Sequence, residues 1–148
     1  YGSSGAGSSI PPDATLVFVV DLVAVLDLQP PAIPEPTEVG ASLEVEDLVA
    51  GTGDPVESGD TVTVHYLGTL TDGTVFDASW RRGMPFTTTI GVGMVIPGWD
   101  QGIVGMREGG RRLLKIPSDL AYGERGSGAA IPPDTPLLFV VDLIRIQT

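Results

Sequence analysis

Cysteine is absent from this 148-residue chain, which removes disulfide staples, thiolate metal sites and a cysteine nucleophile together. Histidine occurs once, as His65, which argues against multi-histidine zinc and iron centres, so no metal site is expected. Asparagine does not occur, and without it there is no N-glycosylation acceptor. Basic residues number 8 against 19 acidic ones, a formal net charge of -11. A nucleic-acid-binding face needs concentrated lysine and arginine, so no nucleic-acid partner is expected. No run approaches the roughly 18 consecutive apolar residues of a membrane span, and none is expected in this fragment. What is present is a hydrophobic fraction of 42% with 18% charged residues, the balance of a chain that builds a core. Glycine at 20 and proline at 13 are high for a helix bundle and favour short strands joined by turns.

The chain repeats itself. Residues 1–26, YGSSGAGSSIPPDATLVFVVDLVAVL, recur as 122–147, YGERGSGAAIPPDTPLLFVVDLIRIQ, at a constant offset of 121 and with 14 of 26 positions identical. A gapless match containing Ile-Pro-Pro-Asp and Phe-Val-Val-Asp-Leu twice reads as duplication, with only the end of the first unit retained. Between the copies, Pro30, Pro31, Pro34 and Pro36 forbid helix, remove sheet donors and favour extended polyproline geometry, as in a linker. Charge divides there too: residues 1–42 carry five acidic and no basic side chains, residues 43–148 fourteen acidic and eight basic. The expected organisation is a partial repeat at 1–28, a Pro-rich acidic linker at 29–40 and a complete domain at 41–148.

Within that domain the apolar period is mostly two. Thr61 to Leu67 alternates, with Val62, Val64 and Tyr66 on one face and the threonines and His65 on the other. Phe86–Ile90, Arg111–Ile116 and Leu137–Ile146 read as further strands, and the Asp72-Gly73 pair between strand-like runs signals a hairpin. One stretch has helical character: from Pro97 to Met106, Trp99, Ile103 and Met106 recur at i, i+4 and i+7 behind a helix-starting proline. The fold class is therefore α+β, an antiparallel sheet wrapped around one short helix.

Chemistry-bearing residues are few. His65 is the one candidate base and sits mid-strand, where a structural role bonding across a loop is expected. Glu44 and Glu46 read as solvated carboxylates on an exposed strand face. The glycine-rich Gly91–Gly98 segment lacks the lysine and the strand-turn-helix setting of a phosphate loop. What remains is an apolar set, Tyr66, Phe76, Phe86, Val95, Ile96, Trp99, Tyr122, Ile131 and Phe139, which by itself reads as core rather than as a binding pocket.

The order of local strings changes that reading. Val64-His-Tyr-Leu-Gly68, Asp72-Gly-Thr-Val-Phe-Asp-Ala-Ser79, Val95-Ile-Pro-Gly-Trp99, Leu120-Ala-Tyr-Gly123, Ile131-Pro-Pro133 and Leu138-Phe-Val-Val-Asp-Leu143 follow one another across residues 43–148. Together they resemble the FKBP family of macrolide-binding peptidyl-prolyl cis-trans isomerases, and residues 1–26 resemble the end of another such unit. The resemblance implies an isomerase of X–Pro bonds in peptides and partly folded chains, working without a cofactor and open to macrolide inhibitors of that class. It implies Trp99 as the pocket floor, with Tyr66, Phe76, Phe86, Val95, Ile96 and Phe139 as walls. By the same resemblance Ile96 offers its backbone N–H and Tyr122 its hydroxyl to carbonyls, Ile131 closes the following loop, and Asp77 is the rim carboxylate. Departures at Thr88, Ser127 and Ala130, which stand where relatives carry bulkier side chains, are expected to widen the pocket mouth. The alternative reading is a non-catalytic FKBP-like chaperone or peptide-binding module, which usually loses the Trp, Tyr or Asp retained here.

Two expectations concern residues 1–28 and location. The second copy of the final strand is expected to pair with a sheet edge or a neighbouring chain, or to exchange with a second molecule. A Pro-rich acidic linker between units is common in exported bacterial-type relatives, so an extracytoplasmic location is expected, with any export signal lying upstream of Tyr1.

Overall fold

A computed structural model describes residues 29–148. The partial repeat at 1–28, its strand exchange and its edge pairing lie outside the described residues. Six strands are formed: β1 (Glu44–Val49), β2 (Thr61–Leu70), β3 (Val75–Ala78), β4 (Phe86–Thr89), β5 (Arg111–Ile116) and β6 (Leu137–Gln147). Two short helices, α1 (Ser79–Arg82) and α2 (Pro97–Gly102), and two 3₁₀ turns, Ser118–Leu120 and Gly123–Arg125, complete the elements.

The strands form one antiparallel sheet in the order β1-β5-β6-β2-β3, with β4 also paired to β2. β2 organises it. One edge pairs with β6 from Thr61 opposite Gln147 to Leu70 opposite Leu137. The other edge is shared end to end, Thr61–Val64 with β4 and Leu67–Thr69 with β3. The β2–β3 connection is the hairpin anticipated at Asp72-Gly73: Gly73 takes φ 88°, and Leu70 N–H donates to the Thr74 carbonyl at 2.8 Å.

Alternation puts Val62, Val64 and Tyr66 of β2, Leu114 and Ile116 of β5, and Phe139, Val141 and Leu143 of β6 on the face that holds the core. Trp99, Ile103 and Met106 cap this face and are at most 4% exposed. The helix that carries them is shorter than its periodicity suggests, ending at Gly102 instead of Met106. Gly105 lies at φ 85°, a left-handed conformation that helix cannot continue through, so Met106 reaches the core from a loop. The single turn α1 was not anticipated. Four residues are too few to show a period.

Two glycines set how close α2 comes to the sheet. A Cβ at Gly98 would lie 2.4 Å from Cγ2 of Ile116, and one at Gly102 would lie 2.8 Å from Cδ2 of Leu114. These i, i+4 positions present bare backbone to β5, so the helix axis sits a side chain lower than any other residue would allow. The far end of the helix is held by Arg112. Its Nη1 donates to the carbonyls of Gly102 at 2.9 Å and Val104 at 3.0 Å, while Nε and Nη2 grip Asp47 of β1 at 2.6 and 3.0 Å. A cation at a helix C-terminus satisfies orphan carbonyls and the dipole at once.

Replacing Gly98 by Ala is expected to destabilise the chain by about 1–3 kcal/mol, the range for overpacking. Urea unfolding of Gly98→Ala, Ile116→Val and the double variant checks it. If steric contact is the cause, the double variant loses less than the sum of the two single losses.

Candidate active site

The helix start places the indole of Trp99 beneath a cavity of about 480 Å³, within the range of small-ligand sites. Three rings meet the indole edge to face: Tyr66 at 5.2 Å, Phe139 at 5.3 Å and Phe86 at 6.1 Å between centroids. Phe76 stands edge-on to Phe139 at 5.4 Å and completes that wall. Such T-shaped contacts stabilise by about 0.5–1.5 kcal/mol each beyond burial, so the cavity keeps its shape without a ligand. Val95 and Ile96 line the side between β4 and α2, and Tyr122 lines the mouth.

Nine of the ten residues expected at the site therefore surround one cavity. The tenth, Ile131, does not line it. It is 4% exposed in the core cluster, and its backbone exchanges two hydrogen bonds with Ser127, closing the loop that follows Tyr122. Thr88, Ser127 and Ala130 do not line the cavity. Thr88 is buried opposite Val62 in the β2–β4 ladder. Conversely Gly93 and Met94 do line it. They belong to the glycine-rich loop, whose shape comes from Asp100 of α2: Oδ1 accepts from Gly91 N–H and Oδ2 from Gly93 N–H, both at 2.8 Å.

Arg82 is a rim residue that sequence reasoning missed. Tyr66 donates its hydroxyl to Asp77 Oδ2 at 2.5 Å, and Arg82 donates to Asp77 Oδ1 at 2.6 Å and to the Tyr66 oxygen at 2.8 Å. The three form a closed ring of charge-assisted bonds on the cavity rim. Burial pushes the Asp77 carboxyl up, but the Tyr66 hydroxyl and the Arg82 guanidinium outweigh it and hold the group below its ordinary value of 3.8. Burial, with the adjacent carboxylate, pushes the Tyr66 phenol above its ordinary 10.0. The phenol therefore keeps its proton and spends it on Asp77.

This separates the two tyrosines. The Tyr66 hydroxyl is occupied as both donor and acceptor, whereas the Tyr122 hydroxyl, 40% exposed with its residue at the mouth, has no protein partner among the described residues. The Ile96 N–H is also unused there: the Ile96 carbonyl starts the helix by accepting from Trp99 and Asp100, and its amide lies outside the helical ladder. The Ile96 N–H and the Tyr122 hydroxyl thus border a largely aromatic space.

His65 takes no part. It lies on the opposite sheet face, stacked on Trp80 at 4.0 Å, with Nδ1 2.9 Å from Ser79 Oγ. Burial lowers its pKa, against the pull of Asp142. Glu44 and Glu46 are exposed on β1, and Glu44 is not simply solvated: Lys115 Nζ lies 3.2 Å from its carboxylate.

An aromatic-walled cavity over a helix start, on the concave side of an antiparallel sheet, defines a class of peptide-handling isomerases, and comparison with known proteins agrees. The family model described as FKBP-type peptidyl-prolyl cis-trans isomerase matches residues 53–144. A "FK506-binding protein" of Neisseria meningitidis serogroup A is 51% identical over 105 residues, covering 71% of this chain and 96% of that protein. The human "Peptidyl-prolyl cis-trans isomerase FKBP10" is 43% identical over 149 aligned positions, covering 99% of this chain and 24% of that protein. The crystal structure of AtFKBP13 superposes with a TM-score of 0.68 at 42% identity, over 74% of this chain and 96% of that one. The chain belongs to the FKBP-type peptidyl-prolyl cis-trans isomerase family.

The rim makes a pH prediction. Because the folded carboxyl of Asp77 binds its proton less readily than the unfolded one, the stability supplied by Tyr66 and Arg82 is fully present above the ordinary carboxylate range. It is lost as pH falls through the depressed folded value. Urea midpoints measured from about pH 6 down to about pH 2 should fall in the parent and fall less in Asp77→Asn, which has no proton to bind at this position.

Proposed function

We propose that the cavity over Trp99 catalyses rotation about X–Pro bonds of peptides and partly folded chains, with Ile96 N–H and the Tyr122 hydroxyl as its hydrogen-bond donors. The observation that carries this reading is the pairing of a rigid aromatic space with two free donors, on a rim whose one carboxylate is already neutralised.

The chemistry follows from the amide. Rotation must break resonance, against a barrier of about 18–20 kcal/mol. At the twisted transition state the prolyl nitrogen pyramidalises and the amide loses much of its dipole. Water favours the polar planar ground state over the twisted one. A dry pocket withdraws that advantage, and a slot shaped by Trp99, Tyr66 and Phe139 holds the pyrrolidine ring while the acyl side turns. Ile96 N–H and Tyr122 fix the flanking carbonyls in that orientation. Asp77 and Arg82 act as positioning residues, locking the Tyr66 ring through its hydroxyl. A millionfold acceleration asks for about 8 kcal/mol of differential stabilisation, shared among desolvation, shape and these bonds. No proton transfer is needed.

The apolar lining of Phe76, Val95 and Met94 supports preference for an apolar residue before proline. The names of the bacterial relatives support binding of FK506-type macrolides in the same cavity. For organisation we read residues 41–148 as the isomerase domain and 1–28 as the end of a preceding unit. That the alignment with a human relative runs through 99% of this chain supports this reading. A Pro-rich acidic linker keeps extracytoplasmic residence as our proposal for location.

A protease-coupled assay on X–Pro tetrapeptides tests the function: catalysis above the thermal rate is expected, and a rate equal to the thermal one contradicts it. Tyr122→Phe should lower kcat/KM by roughly 2- to 10-fold, the worth of one hydrogen bond, without changing the urea midpoint. Trp99→Ala should abolish turnover and cost about 3–5 kcal/mol of stability through the cavity it leaves. A folded Trp99→Leu/Asp77→Val variant that has lost turnover yet suppresses client aggregation as the parent does favours a chaperone surface elsewhere on the chain.

A further inference from the structure

The strand alternation that sends Val64 and Tyr66 toward Trp99 leaves Leu67 on the other face of the sheet, yet Leu67 is only 7% exposed. Its β6 partner Val140, and Leu138 two residues away opposite Thr69, are likewise buried while lying outside the core cluster. An antiparallel sheet with one solvated face carries polar residues there. This one carries an apolar patch on both sides of β2.

Part of the cover is visible. Pro30, Pro31 and Ile33 form, with Leu67, Val75, Ala78, Trp80 and Arg81, the walls of a groove of about 300 Å³. The segment is pinned on both sides of these contacts. Arg111 Nη2 donates to the Gln29 carbonyl at 3.0 Å, and Thr37 N–H donates to the Thr71 carbonyl at 3.1 Å. The Pro-rich linker is therefore hydrogen-bonded to the domain at Gln29 and at Thr37. We infer that the outer apolar face of Leu67, Val75, Ala78 and Trp80 is a second peptide-binding site, separate from the cavity over Trp99, that takes an extended proline-rich segment and is flanked in cis by residues 30–34.

Four physical features favour that class of ligand. The prolines hold φ near its polyproline value before docking, so little backbone entropy is lost on binding. Trp80 supplies the aromatic wall that polyproline-binding grooves use. Stacking on His65 fixes its ring. A short apolar side chain, here Ile33, lies beside the hairpin and stays 54% exposed: a Cβ at Gly73 would stand 3.8 Å from its Cγ2.

Backbone ¹⁵N relaxation on the full chain tests the seating. Amide order parameters of Ala32, Ile33, Glu35 and Thr37 are expected at about 0.8 or above, falling below about 0.6 in the full-length variant Pro30→Gly/Pro31→Gly/Ile33→Ser. These substitutions touch only the outer groove, so the core remains folded. A synthetic peptide of residues 29–40, added at millimolar concentration to that variant, should shift the Leu67 and Val75 methyl and Trp80 indole resonances and leave the Trp99 indole unmoved. Order parameters below about 0.6 in the parent overturn the proposal. So does a peptide that moves only the Trp99 indole, or neither.

Discussion

The depth at which α2 lies on β5 governs the rest of the molecule. Gly98 and Gly102 face Ile116 and Leu114 with no side chain between, and Arg112 ties the end of the helix to β1 through Asp47. At that depth the Trp99 ring meets Tyr66, Phe86 and Phe139, each in a T-shaped contact. The same seating brings Asp100 under the glycine-rich loop, where its two oxygens fold Gly91 and Gly93 back over the cavity. A helix of six residues is too short to be stable alone. It is helical because the sheet beneath it and the cation at its end make it so.

Each face of the sheet carries an apolar cavity or groove, and α1 lies between them. Ser79 accepts the Tyr66 N–H at 2.8 Å, Trp80 stacks on His65, and Arg82 reaches round to Asp77 and the Tyr66 hydroxyl. Within four residues the chain passes from the proline-lined outer groove to the rim of the inner cavity. Neighbouring side chains of β2, Tyr66 inward and Leu67 outward, contact the two sites separately.

Much of this was legible in the residues. Period-two patterning located β2, β5 and β6, the Asp72-Gly73 pair located the hairpin, and the proline ahead of Trp99 located the start of α2. The ordered motifs brought Asp77, Tyr122 and Phe139 to one place although they are far apart in the chain. What was not legible has physical causes. Arg82 lies on a helical turn too short to show a pattern, and its partner Asp77 is paired with it only because β3 folds back on β2. Ile131 carries the side chain expected of a pocket residue, but a two-bond bridge to Ser127 turns it into the core. The proline-rich stretch has the composition of a spacer. Composition reports stiffness, and only tertiary bonds such as Arg111 to Gln29 and Thr37 to Thr71 decide whether a stiff segment is free or seated.

The central claim is that X–Pro rotation is accelerated by an apolar, shaped space with fixed hydrogen-bond donors and without movement of a proton. The most direct measurement is kcat/KM for an X–Pro peptide in H₂O and in D₂O across the neutral pH range. With the Asp77 carboxyl held low and His65 on the far face, the account predicts a solvent isotope effect near unity and a flat pH profile. A large normal isotope effect with a bell-shaped profile, the signature of general acid–base catalysis, would contradict it.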